Sequence, residues 1–238
     1  MDRYLVFTLE APMASFGDLA GHENRGSRSW PARSAILGLV SAAFGIRRDD
    51  KAGLKTLDSL KTAVSVIHTG PRFSDFHTVQ SIGSRNRYYP DTRREALSQT
   101  ANVHTSITYR DYVGDSAFGI ALWSDDPSIT LEAVRDALLT PCFTLYLGRK
   151  SCPLSFPLSP KIIEAENPAE ALHHADIPFW YAADGKTDSS GKGTAYYSDR
   201  YPSLPYQRIE TRQDVPLDRQ LWHFTIRDVF AGSMKKGE

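Results

Sequence analysis

Two segments gather the residue types that hold phosphate. One is Trp30-Pro31-Ala32-Arg33-Ser34, directly before an apolar run of helical spacing. A helix start offers free backbone N–H groups and a field that favours an anion, and Arg33 and Ser34 add a guanidinium and a hydroxyl. The other is Leu147-Gly148-Arg149-Lys150-Ser151-Cys152-Pro153-Leu154. There Gly148 permits close backbone approach and Arg149 and Lys150 set two cations beside it. Helix starts and basic loops are each common. Taken with the arginine-rich stretch from Arg72 to Arg110, the pair points to single-stranded RNA.

Catalytic signatures are absent. The chain has no GxSxG elbow, no HExxH, no Walker phosphate loop and no GxGxxG. Of seven histidines only His173 and His174 are adjacent, in a helix-end context that suits cap or surface residues. Cys142 and Cys152 have no paired ligands nearby, so neither a metal nor another cofactor is expected. Metal-free RNA cleavage needs a general base and a group that stabilises the phosphorane. His77, His104, Tyr88, Tyr109 and Arg110 could meet for that purpose, yet their spacing does not demand it. The same rings serve equally well as stacking surfaces for unpaired bases, and both readings stay open.

The chain has 238 residues, 28 basic and 28 acidic, with 41% apolar residues. That length allows one or two compact domains with a real core, and the composition is that of a globular protein. No apolar run approaches a membrane span, the N-terminus lacks a signal-peptide layout, and two cysteines make no disulfide scaffold. A reduced, cytoplasmic protein without membrane contact is expected. Arginines outnumber lysines 19 to 9, which suits planar, bidentate contacts to phosphates and bases. Charge is also sorted. Gly21 to Arg48 holds five arginines and one acid, whereas Asp111 to Asp136 holds six acids and one arginine. Opposed blocks of this kind suit a basic surface with acidic flanks, and equally solvated loops charged for solubility.

The elements that position these residues read as follows. Tyr4-Leu5-Val6-Phe7-Thr8-Leu9 is a strand halted by Pro12. Ala35 to Phe44 is a helix with Pro31 near its start and Gly45 after its end. Val64 to His68 is a second strand and Phe118 to Trp123 a third. A helix opens at Ser128 and reaches about Leu139, and Phe143 to Leu147 is a fourth strand. The order β-α-β-β-α-β predicts an α+β, ferredoxin-like (RRM-like) domain. About fifty residues separate the second and third strands, where a tight loop would suffice; such an insertion is expected to have a task of its own, the alternative being a partly disordered one. Val103, Thr105, Ile107 and Tyr109 would share one face of a strand in a protruding hairpin. A domain over residues 1–158, with the hairpin at about 72–114, and a smaller β-rich region over 159–238 are expected. In the latter, Asn167-Pro168 starts a short helix, 184–193 forms a hairpin tip, and Trp222 to Ile226 is a last strand.

The motifs also occur in a recognisable order. Leu9-Glu10-Ala11-Pro12-Met13-Ala14-Ser15-Phe16-Gly17 is followed by Pro31-Ala32-Arg33-Ser34-Ala35-Ile36-Leu37-Gly38-Leu39 and by Phe44-Gly45-Ile46-Arg47-Arg48-Asp49-Asp50. Then come Asp75-Phe76-His77-Thr78-Val79, Tyr109-Arg110-Asp111-Tyr112 and the segment Tyr146 to Leu154. Over residues 3–160 the chain resembles the CasD family of type I-E CRISPR Cascade subunits, in the RAMP group of RNA-binding proteins. The resemblance implies a non-catalytic subunit that binds the 5′ handle of the CRISPR RNA, caps the complex and supports antiviral DNA targeting. It implies a thumb hairpin reaching the CasC backbone subunit, contact with the large CasA subunit, and target DNA nearby. It assigns Arg33, Ser34, Arg149, Lys150 and Ser151 to the handle, Met13, Phe16 and Trp30 to the same surface, and His77, Arg85, Arg87 and Arg110 to the thumb and its base. Type I-C relatives cleave precursor RNA with a Tyr, Lys and His set. This chain has no lysine between Lys61 and Lys150, which favours binding over the alternative, a metal-independent endoribonuclease.

Overall fold

The structure is a computed structural model and describes residues 1–20, 23–82, 90–98, 103–183, 194–218 and 223–234. In chain order the elements are β1 (Asp2–Ala14), β2 (Phe16–Ala20), β3 (Asn24–Arg28), α1 (Arg33–Phe44), α2 (Lys51–Leu57), β4 (Lys61–Thr69), β5 (Arg72–Ile82), α3 (Arg93–Ser98) and β6 (Val103–Trp123). They continue with α4 (Leu131–Leu139), β7 (Lys161–Ala165), α5 (Pro168–Leu172), α6 (Phe179–Ala183), β8 (Ala195–Ser198), β9 (Arg208–Asp218) and β10 (His223–Ser233). The fold is mixed α+β, with a large sheet and few helices. Among the described residues no helix is long and apolar enough to cross a membrane.

The sheet centre runs β7-β1-β6-β4, every neighbour antiparallel. Alternation along β1 decides what each face buries. Leu5, Phe7, Leu9 and Ala11 pack on Ile36, Leu37 and Val40 of α1 and on Val134 and Leu138 of α4. Tyr4 and Val6 point the other way, onto Ala169, Ala171 and Leu172 of α5 and onto Tyr196. Both faces are therefore covered, and each fully buried large side chain contributes roughly 1.5–3 kcal/mol. β8, β10 and β9 extend the same sheet from the far edge of β4.

Two expectations about strands need correction. β1 does not halt at Pro12: Ala11 and Met13 pair with Ser116 and Gly114, and the ladder steps over Pro12 and Asp115, whose φ is 42°. Phe143 to Leu147 is not a strand, apart from a single bridge between Tyr146 and Pro153. The N–H groups of Cys142 and Phe143 donate instead to Ala43 O and Ala42 O at the end of α1, at 2.9 and 3.1 Å. An apolar run lying across a helix terminus satisfies orphan carbonyls there and has fewer donors left for a sheet. The strand beside β1 is β7, carrying Ile162 and Ile163.

Local signals elsewhere match their elements. α1 ends at Gly45, which holds a left-handed φ of 74°. Asn167 caps α5, accepting from the Ala169 and Glu170 N–H groups, with Pro168 at the first helical position. Phe179 to Tyr181 lies in α6, while 184–193 and Trp222 fall outside the described residues.

Beyond the sheet centre, β5 and the first half of β6 form a long antiparallel hairpin. Its register is unbroken from Arg72↔Val113 to Ile82↔Val103. Val103, Thr105, Ile107 and Tyr109 share one face with Phe76, and Phe76 is 64% exposed. The opposite face carries Phe73, Asp75 and His77 of β5 against Tyr112, Arg110 and Thr108 of β6.

Candidate nucleic-acid interface

The two segments singled out from sequence meet in space, but they do different things. The start of α1 already holds an anion: the Arg33 N–H donates to Asp214 Oδ2 at 3.2 Å. Asp214 comes from β9 and is buried, so the helix field that would draw a phosphate is met by the chain's own carboxylate. The Arg33 side chain also turns inward and is 8% exposed. Its Nη2 donates to Asp58 O at 2.6 Å and Leu60 O at 3.0 Å, and its Nε lies 3.8 Å from Asp199 Oδ2. Arg227 completes this network, donating to Asp214 and Asp199. The structure thus places Arg33 inside a network of acceptors far away in sequence rather than among the surface cations.

Trp30 and Phe16 likewise lie inside. Trp30 is 3% exposed, its ring stacked on Tyr197 at 4.1 Å with the Arg212 guanidinium 4.5 Å from its centroid. Phe16 is buried edge-on against Phe118. Met13 is half-buried and packs against the core. Only Ser34 of the first segment remains near solvent, half-buried in a cleft of about 200 Å³ with Gly38, Ala42, Thr144, Tyr146 and Gly148.

The loop at 148–151 presents its polar groups outward. Gly148 has a φ of 86°, and a Cβ there would sit 1.8 Å from Ser15 O, so the backbone approach demands glycine. The turn closes through Leu147 N–H to Cys152 O and Cys152 N–H to Arg149 O, at 2.9 and 2.8 Å. Cys152 is buried, and that burial pushes its thiol upward despite the nearby Ser151 hydroxyl. Lys150 and Ser151 are exposed at the tip, and Arg149 is half-buried beside them.

Sequence reading missed what ties this loop to the hairpin. The Arg149 guanidinium carbon lies 4.8 Å above the Tyr112 ring, and Tyr112 stacks on Phe73 at 5.4 Å and 14°. Ser15 makes a second link: its N–H donates to Leu147 O at 3.1 Å and its hydroxyl to Asp111 O at 3.0 Å. Two residues along β6 from Tyr112, on the same face, stands Arg110. Arg110 pairs across one edge with Asp75 and across the other with Arg25 of β3, a further cation missed from sequence. His77 follows on that face, its Nε2 2.9 Å from Asp75 Oδ2. The signals for Tyr112 were its two-residue spacing from Arg110 and its place in the Tyr109 to Tyr112 motif. Arg85 and Arg87 lie outside the described residues.

Among the described residues, Arg149 Nη1 and Arg110 Nε are buried side-chain donors without a hydrogen-bond partner. An unpaired buried donor is costly, more so on a charged group, and an oxyanion is the acceptor that relieves it best. The arrangement therefore suits a phosphate-rich strand, with aromatic rings at hand for bases. Among the described residues no group of three or more His, Cys, Asp or Glu is placed to hold a metal ion.

The family described as CRISPR-associated protein (Cas_Cas5) matches residues 4–230. The CRISPR system Cascade subunit CasD of Escherichia coli (strain K12) is 34% identical over 184 residues, 72% of this chain and 76% of that protein. A chain of a CRISPR RNA-guided surveillance complex superposes with a TM-score of 0.68 at 23% identity, covering 98% of this chain and 90% of that one. A crystal structure of a Cas protein superposes at 0.59 and 20% identity, covering 98% and 95%.

Proposed function

This chain belongs to the Cas5 family of CRISPR-associated proteins, and from that premise we propose that it is the CasD-type subunit of a type I-E surveillance complex. It holds the 5′ handle of the CRISPR RNA without cutting it, caps the CasC backbone, contacts the large CasA subunit and works near the target DNA in the cytoplasm. The observation that carries this reading is a basic strip: the Arg149 guanidinium lies over the Tyr112 ring, exposed Lys150 follows it in the loop, and Arg110 stands two residues from Tyr112 on the same strand face, next to the cleft that Ser34 shares with Gly148. Cations with unpaired donors beside stacked aromatics suit a single strand, whose phosphates are reached from outside and whose bases are free to stack.

The order β7-β1-β6-β4, with α1 and α4 packed on one face, supports a ferredoxin-like layout. In it β5 and the outer half of β6 are the thumb. Residues 1–158 form the RNA-binding domain and 159–238 the smaller β-rich region, which lends β7 to the central sheet. Exposed Phe76, Ile107 and Tyr109 on one thumb face support a protein partner there.

The test uses the purified full chain in EDTA with labelled precursor repeat RNA and, separately, with handle-only RNA. Tight, salt-sensitive handle binding with no new product is the expected result. A single product at the 5′ boundary of the handle would overturn it in favour of an endoribonuclease. Weak binding that salt leaves unchanged would reduce the subunit to a protein–protein module.

A further inference from the structure

The strip depends on a residue that offers no charge of its own. Tyr112 is 6% exposed, with Phe73 against its ring and the Arg149 guanidinium over it. Its hydroxyl is not what makes these contacts; the ring is. Arg149 belongs to a loop whose backbone is pinned at Gly148 and Ser15, but backbone anchoring does not choose a rotamer for a long arginine. The Tyr112 ring does so, through the attraction between a cation and a π face. Because Tyr112 and Arg110 are two residues apart on one face of β6, the ring also sets Arg149 in register with Arg110.

We infer that Tyr112 is a positioning residue for RNA binding, aligning the Arg149 guanidinium with Arg110 and coupling the thumb root to the loop at 148–151. This rests on the handle-binding reading. It adds that the loop and the hairpin form one rigid binding unit, so that a disturbance at Phe73 is felt at Arg149.

The experiment measures affinity for a labelled single-stranded RNA of the cognate repeat handle, across a salt series, for the full chain and its variants. Tyr112→Leu is expected to weaken binding about tenfold and to flatten the slope of log affinity against log salt by about 0.7, the equivalent of one phosphate. Tyr112→Phe keeps the ring and is expected to bind as wild type does. In an Arg149→Ala background Tyr112→Leu is expected to cost nothing further, because it acts through Arg149. A full additional loss in that background, an unchanged affinity for Tyr112→Leu, or a Phe variant as weak as the Leu variant would each overturn the inference. If Tyr112→Leu does not fold, Phe73→Leu removes the other side of the stack and is read in the same cycle. If wild type itself binds no RNA, the functional reading fails while the coupling is still decided by urea unfolding of the same double-mutant cycle: additive stabilities overturn it.

Discussion

Arg33 and Asp214 close the start of α1 from two distant parts of the chain, the Arg33 N–H donating to the Asp214 carboxylate at 3.2 Å. Around them Asp199 and Arg227 complete a buried network of alternating charge. Removing one member leaves its partners buried and uncompensated, which costs far more than the intact network contributes. Arg33→Ala is therefore expected to lower the unfolding free energy by about 3 kcal/mol, read by urea titration. Handle-RNA affinity of the folded variant should match that of wild type. A stable variant with weakened RNA binding would return Arg33 to the interface.

Gly148 carries a different constraint. Alanine there would need a left-handed backbone at φ 86° and would drive its Cβ into Ser15 O. Gly148→Ala is expected to displace the loop at a cost of at least about 2 kcal/mol, with the melting temperature and the RNA affinity falling together. An alanine variant with both unchanged would mean the loop is not anchored at Ser15.

The cations of the strip should report individually on the phosphates they meet. Arg110→Ala and Lys150→Ala are each expected to weaken handle binding, Arg110→Ala by about tenfold. Each should also flatten the plot of log affinity against log salt by about 0.7 for every phosphate left without its cation. Lower affinity at an unchanged slope would place that residue away from the phosphates.

Three buried tyrosines set the alkaline limit of the fold. Burial pushes the Tyr4, Tyr181 and Tyr196 hydroxyls upward, helped at Tyr4 by the neighbouring Tyr201 and Asp2 and at Tyr181 by its hydrogen bond to Asp115. The folded state keeps these protons where the unfolded chain, titrating near pH 10, releases them. Their contribution is thus complete below about pH 10 and is lost as pH rises above it, by up to about 1.4 kcal/mol per pH unit for each. Urea unfolding between pH 9 and 12 should show this decline, with part of the phenolate absorbance appearing only as the chain unfolds. Tyr181→Phe should make the slope shallower; an identical slope would mean that Tyr181 ionises in the folded protein.

Much of the molecule is legible in the chain because it depends on near neighbours. Alternation from Tyr4 to Ala11 sorts β1 into two buried faces, Gly45 ends α1, Asn167 and Pro168 open α5, and the residues of β6 share the face their spacing predicts. Gly148 is likewise readable as a point of close approach. Phe143 to Leu147 is not, because apolarity alone does not distinguish a sheet edge from the end of a helix.

What tertiary structure decided was which arginines face out. In sequence Arg33 and Arg149 look alike, each beside a serine or lysine at the mouth of an element. In the fold Arg33 meets Asp58, Asp199 and the Leu60 carbonyl and turns inward, while Arg149 meets the face of Tyr112 and keeps an unpaired donor. A whole guanidinium turns inward where acceptors converge to replace its water. Those acceptors follow β8 and α2, far along the chain, so local pattern carried no trace of them.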